Sequence, residues 1–135
     1  MNNVIVIGSH FDDIELSAGG TIALLSKKYN IIAIVTSLSD YADYEGNIIR
    51  TETQARIEGE KGLLTLGVKE IYRLNYQTKK IPYNSTIIED LNKIIDLYAP
   101  ELIIIPWIND THPDHSNTAK SAISASRYYN TIWMY

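Results

Sequence analysis

Short apolar, mostly β-branched runs recur along the chain at Val4–Ile7, Ile31–Val35, Ile71–Leu74, Leu102–Ile105 and Ile132–Tyr135. They do not alternate with polar positions, which is the pattern of strands covered on both faces of a parallel sheet. Between them, apolar residues fall at helical spacing over 17–28, 50–66, 85–98 and 116–128. Ser17 or Thr21 stands near the first helix start, Gly67 follows the second helix and Pro100 closes the third. Ser116 or Asn117 is placed to cap the fourth. Gly59 and Gly62 weaken the middle of the second. The resulting order, β-α-β-α-β-α-β-α-β, predicts an α/β fold, a Rossmann-like parallel sheet flanked by helices. Right-handed crossovers and the common doubly wound arrangement give a strand order of 3-2-1-4-5. In that order the ligand crevice lies past the carboxyl ends of strands one and four. The polar stretch 37–49, "SLSDYADYEGNII", is long for a connection in a compact domain and predicts a flap over the crevice.

Composition narrows the function classes. A chain of 135 residues suits one domain, 1–135, with a core of its own. A net charge of −4 argues against a nucleic-acid partner, which would require a basic face. With no cysteine, disulfides, thiolate metal sites and cysteine nucleophiles are excluded. No run approaches a membrane span, and "MNNVIVIGS" lacks the basic start of a signal peptide, so a cytoplasmic protein is expected. Ten tyrosines against one phenylalanine suggest rings that pack while their hydroxyls reach something polar; coding bias is the plainer explanation.

The chemistry collects in the two loops beside the expected crevice. "SHFDDIELSAGGT" offers His10, Asp12, Asp13 and Glu15, and "DTHPDH" offers Asp110, His112, Asp114 and His115. All three histidines of the chain are in these loops. Without cysteine, a nitrogen and oxygen donor set is what remains, and two histidines with one carboxylate suit a hydrolytic zinc site. Such a metal lowers the pKa of water and polarises a carbonyl, leaving the remaining carboxylate and imidazole for proton transfer. The residues alone do not choose between His112 and His115 as ligand. Gly19-Gly20 lacks the spacing of a phosphate loop. Arg50 and Arg56 reach the crevice if their side chains turn inward, or form a solvated helix face if they do not.

"SHFDDIELSAGGTI" resembles the His-Pro-Asp-Asp-x-Glu signature, with its following Gly-Gly, of the LmbE-like (PIG-L) zinc-dependent N-acetylglucosaminyl de-N-acetylases. "THPDH" matches the second signature of that family, and "ARIEGEKGLLTLGVKEIYRLNY" resembles the segment between them. Phe11 stands where the family usually has proline. The resemblance implies that His10, Asp13 and His115 bind Zn2+, or another divalent metal, and that Asp12 is the general base. It implies that His112 stabilises the oxyanion or protonates the leaving amine, with Asp114 orienting it. Arg50 and Arg56 would contact substrate, a small-molecule N-acetylated sugar conjugate.

The expected activity is metal-dependent hydrolysis of an acetamide on an amino sugar. Two other readings are an inactive, truncated metal-binding remnant and a metal-dependent phosphoester hydrolase. Members of the family are usually longer, so the resemblance also implies a domain lacking its C-terminal part. A last strand left as a sheet edge predicts self-association into a homo-oligomer.

Overall fold

The computed structural model describes residues 1–135. Eleven elements follow one another along the chain. They are β1 (Asn3–Gly8), α1 (Asp13–Leu25), β2 (Asn30–Ser37), β3 (Tyr41–Ala42), β4 (Ile48–Arg50), α2 (Glu52–Thr65), β5 (Glu70–Tyr76), α3 (Ser85–Tyr98), β6 (Leu102–Ile105), α4 (Pro113–Ala125) and β7 (Ile132–Met134). β5, β2, β1, β6 and β7 form one sheet in that order, and every pairing in it is parallel. Counting only these strands, the order is 3-2-1-4-5. The two further strands, β3 and β4, were not expected from the apolar pattern. They pair antiparallel as a separate ribbon that falls in the polar stretch read as a flap and extends one residue past it, to Arg50.

Strand alternation divides the core in two. Val4 and Val6 of β1, with Ile31, Ala33 and Val35 of β2, pack against Ile14, Ala18 and Ile22 of α1 and Ala55 and Leu63 of α2. Ile5 and Ile7, with Ile32 and Ile34, face Ile87, Leu91 and Ile95 of α3 and Ala119 and Ala122 of α4. A sheet covered on both faces has no polar face to display, which is why its strands read as unbroken apolar runs. No helix is long and apolar enough to cross a membrane.

Two helix starts differ from the sequence expectation, and both differences bear on the site. α1 begins at Asp13 instead of 17, because the Asp13 carboxylate accepts from the backbone N–H groups of Ser9 and His10 and the Glu15 side chain accepts from that of Asp12. α4 begins at Pro113 with His112 as its cap, ahead of Ser116 and Asn117. Proline is suited to the first helical position because its missing N–H would have no partner there. Of the two glycines expected to weaken α2, Gly59 has a packing reason. A Cβ on Gly59 would lie 2.1 Å from the Phe11 ring, so Gly59 is what lets Phe11 bury completely.

Several tyrosines behave as their abundance suggested. Tyr76 donates to Asp90, Tyr72 and Tyr98 share a hydrogen bond, and Tyr129 donates to Asp96. At the sheet edge, Trp133 and Met134 of β7 are about half exposed, whereas the Tyr135 hydroxyl turns inward to donate to the carbonyl of Ile7 at 2.9 Å.

Candidate metal centre

Because β1 and β6 are parallel neighbours, the loops that leave their carboxyl ends meet. The loop after β1 is held from three sides. The Ser9 hydroxyl donates to the Asp114 carbonyl at 3.1 Å, the Phe11 N–H donates to Ser39 Oγ at 2.9 Å, and Arg50 Nη1 donates to the Phe11 carbonyl at 3.2 Å. Asp12, between them, has φ 102°. A non-glycine residue in that region is strained, and the surrounding bonds are what maintain it.

Three ligand atoms converge from the two loops. Asp13 Oδ2 lies 3.4 Å from His10 Nδ1 and 3.2 Å from His115 Nε2, and those two nitrogens are 3.3 Å apart. A tetrahedral ion with bonds of about 2.0–2.1 Å has ligand atoms about 3.3–3.4 Å apart, so the triangle already has the size of one face of such a site. Each imidazole is turned by a carboxylate on its remote nitrogen. His10 Nε2 bonds Asp114 Oδ2 at 2.8 Å and His115 Nδ1 bonds Asp110 Oδ2 at 3.1 Å. Carboxylate–histidine pairs of this kind fix the tautomer and raise the basicity of a metal-binding ring. The donor set and its spacing fit a divalent ion such as Zn2+.

Charge follows the same geometry. Burial opposes a charge on His10, but the bonds to Asp114 and Asp13 outweigh it, and its pKa is pushed up to about 9. Burial works to raise the Asp13 pKa, yet the two histidines beside it hold the carboxyl well below the usual range. The Asp13 hydrogen bond, against burial, raises His115. Burial, then the neighbouring His115 and His10, pushes His112 the other way, toward the neutral ring. Burial and the nearby Asp13 raise Asp12, with Arg50 opposing them.

Asp12 and His112 do not join the triangle but line the same cavity, about 330 Å³ in volume, as does Arg50. His112 Nδ1 accepts from the N–H of Asp114 at 3.1 Å, so in the neutral ring the proton is on Nε2. Arg50 also donates to the Ala55 carbonyl and stands 3.6 Å from both Asp12 and Glu58. Arg56 is exposed on α2 and is not among the cavity's lining residues.

The position of Asp114 corrects one expectation. Its carboxylate, 1% exposed, turns to His10 instead of His112 and accepts the backbone N–H groups of Lys79 and Ile81 at 2.7 and 3.2 Å. Only its backbone N–H contacts the His112 ring. The reason is the helix start: in the first turn of α4, the Asp114 carboxylate meets His10 in the loop after β1 and the backbone of the turn after β5. Asp110 was read as a candidate donor without a role, and a carboxylate five residues before a histidine carries no signal for one.

A family described as GlcNAc-PI de-N-acetylase (PIG-L) matches residues 5–126. Diacetylchitobiose deacetylase of Thermococcus kodakarensis is 26% identical over 131 residues, which are 93% of this chain and 49% of that protein. The solved N,N'-diacetylchitobiose deacetylase of Pyrococcus horikoshii, in complex with its inhibitor MPG, superposes with a TM-score of 0.82 at 29% identity, over 94% of this chain and 50% of that one. The chain thus spans about half the length of these two deacetylases. The 4-carboxy-2-hydroxymuconate hydratase of Pseudomonas putida KT2440 also superposes with a TM-score of 0.82, at 19% identity over 94% of this chain and 56% of that one. That last likeness concerns the fold alone, and it shows that the scaffold does not by itself decide the reaction.

Proposed function

The chain belongs to the PIG-L family, described as GlcNAc-PI de-N-acetylases, and from that premise we propose that it hydrolyses the acetamide of an N-acetylated amino sugar or sugar conjugate with a divalent metal, Zn2+ being the best fit. The observation that carries this is the triangle of His10 Nδ1, Asp13 Oδ2 and His115 Nε2, with sides of 3.2–3.4 Å, beside a cavity that Asp12 and His112 also line. A divalent ion held there supplies Lewis acidity toward the amide carbonyl and a lowered pKa for water.

The chain's own groups supply the rest. Asp12, not tied into the ligand triangle and raised by burial, accepts the proton of the water that attacks the carbonyl carbon. As the C–N bond breaks, that proton passes to the amine nitrogen, giving acetate and the free amino sugar. His112, pushed toward its neutral form first by burial and protonated on Nε2, donates to the carbonyl oxygen as negative charge develops there. Arg50 faces Asp12 at 3.6 Å and favours its ionised form. Asp114 and Asp110 position the two ligand histidines. The phosphoester alternative has less support, because the Arg50 guanidinium already donates to two carbonyls and stands beside two carboxylates, although its Nε has no hydrogen-bond partner.

The test uses the full chain. Acetate release from an N-acetylglucosamine conjugate is measured with added zinc, with chelator, and for Asp12→Ala. Zinc-dependent release that Asp12→Ala abolishes while still binding zinc supports the proposal. No release from zinc-loaded protein, or release that survives in Asp12→Ala, overturns it.

A further inference from the structure

The mechanism leaves a second group of cavity residues unused: Asp40, Tyr41, Thr78 and Lys79 line the same space as His10, Asp12 and His112. Two loops bring them together, the stem of the β3–β4 ribbon and the turn after β5. Thr78 Oγ1 donates to Asp40 Oδ1 at 2.7 Å, and Lys79 Nζ lies 5.3 Å from the centre of the Tyr41 ring. These contacts orient the groups without consuming them. Asp40 Oδ2 accepts no hydrogen bond from the protein, Lys79 forms no ion pair, and the half-exposed Tyr41 keeps a free hydroxyl.

The scaffold beneath them is already ordered. Lys79 sits at φ 67°, a strained conformation for a side-chain-bearing residue, and is held there by its N–H bond of 2.7 Å to Asp114. The ribbon is closed by the Asp43 carboxylate, which accepts from the N–H groups of Glu45 and Asn47 and from the Asn47 amide. Ser39, next to Asp40, bonds the Phe11 N–H and so ties the ribbon stem to the loop bearing Asp12. Groups placed in advance lose little freedom on binding, so their hydrogen bonds count more toward affinity.

We propose that these residues form a polyol subsite, in which Asp40 accepts from, and Lys79 donates to, hydroxyl groups of the sugar ring whose acetamide lies at the histidines; this rests on the function proposed above. A hydroxyl is both donor and acceptor, so an oriented carboxylate beside an ammonium can satisfy neighbouring hydroxyls at once. The cavity sets the polar side chains of Asp40, Thr78 and Lys79 beside the apolar surfaces of Phe11, Tyr41 and Ile49, which suits a sugar ring with hydroxyl edges and a C–H face. The Asp40 carboxylate in the same wall disfavours an anionic ligand.

The probes are glucosamine and cyclohexylamine, which share a six-membered ring and an amine and differ in hydroxyls. Binding of each to the full chain with zinc is followed by NMR titration for wild type, Asp40→Ala and the shape-preserving Asp40→Asn, with thermal melts to verify folding. Asp40→Ala should weaken glucosamine binding about tenfold, the worth of a hydrogen bond to a charged group, and leave cyclohexylamine binding unchanged. Failure of wild type to bind glucosamine overturns the proposal. So does unaltered glucosamine binding in both Asp40 variants, or equal weakening of both probes. Asp40-dependent glucosamine binding in a protein that releases no acetate supports the subsite and counts only against the hydrolase reading.

Discussion

His10, Asp13 and His115 form one constellation and His10, His112 and Asp114 another, each with ligand atoms within 4.8 Å of one another. They share an imidazole and have the same donor types, yet their lone pairs differ. In the second, Asp114 already accepts from Lys79, Ile81 and His10, and His112 Nδ1 accepts from the Asp114 N–H. In the first, His10 and His115 spend their remote nitrogens on carboxylates, which directs the remaining ones at a common point with Asp13. Donor type and proximity nominate both groups. The carboxylates do not separate them, since Asp13 Oδ2, like Asp114, already accepts two backbone N–H groups; the ring nitrogens do, because the carboxylate partners of His10 and His115 leave His10 Nδ1 and His115 Nε2 facing Asp13 in the proposed metal centre.

The comparison can be broken most directly by removing one histidine from each group. His115→Ala should lose stoichiometric zinc after dialysis, whereas His112→Ala should retain it, as read by elemental analysis. Zinc kept by the first and lost by the second would reverse the assignment.

Next in size is Asp114→Ala. It strands the buried N–H of Ile81, the part-buried N–H of Lys79 and the charged His10 partner, so a stability loss of about 3 kcal/mol is expected in denaturant melts of metal-free protein. A loss under about 1 kcal/mol would show that Asp114 is not the structural centre of its group.

Asp110→Ala should leave the fold intact and reduce zinc affinity about 10- to 100-fold, by releasing His115 from its orienting partner. Chelator competition measures this.

Proton competition sharpens the first group further. His10 has a pKa of about 9 in the metal-free protein, so below that pH zinc must displace a proton from it. Affinity should rise about tenfold per pH unit for each proton displaced and level off as pH passes the His10 value. Calorimetry in buffers of differing ionisation enthalpy should record proton release at neutral pH. An affinity independent of pH between 6 and about 8 would count against His10 as a ligand.

The smallest effect is expected for Arg56→Ala. An exposed residue outside the cavity should change stability by no more than about 0.5 kcal/mol and leave zinc binding unaltered. A large fall in substrate affinity on this change would place Arg56 in the site after all.

The strands were legible because a sheet buried on both faces demands unbroken apolar runs, and 4–7, 31–35 and 102–105 have no other use. α3 at Ser85–Tyr98 matched its expected range because Asn84 caps it locally, accepting from the N–H of Ile87. α1 and α4 were read as starting late because their first turns are occupied by residues with chemistry to perform. Asp13 and His112 satisfy backbone donors while Asp13 also meets the His10 and His115 rings and His112 faces the cavity, a dual role that spacing does not reveal. The β3–β4 ribbon was missed because its strands are two and three residues long and mostly exposed, too short for a period to show.

By itself, then, the chain's order of residues determined the layers, the strand order and which two loops would carry imidazole and carboxylate. These follow from burial and chain connectivity, which act along the sequence. The tertiary structure decided which nitrogen of each histidine is free, that Asp114 turns to His10 and Asp110 to His115, and that Asp40 meets Thr78 across 38 positions. Hydrogen bonds are directional and reach only about 3 Å, so partners distant in sequence are chosen by where the folded backbone places them, not by residue type.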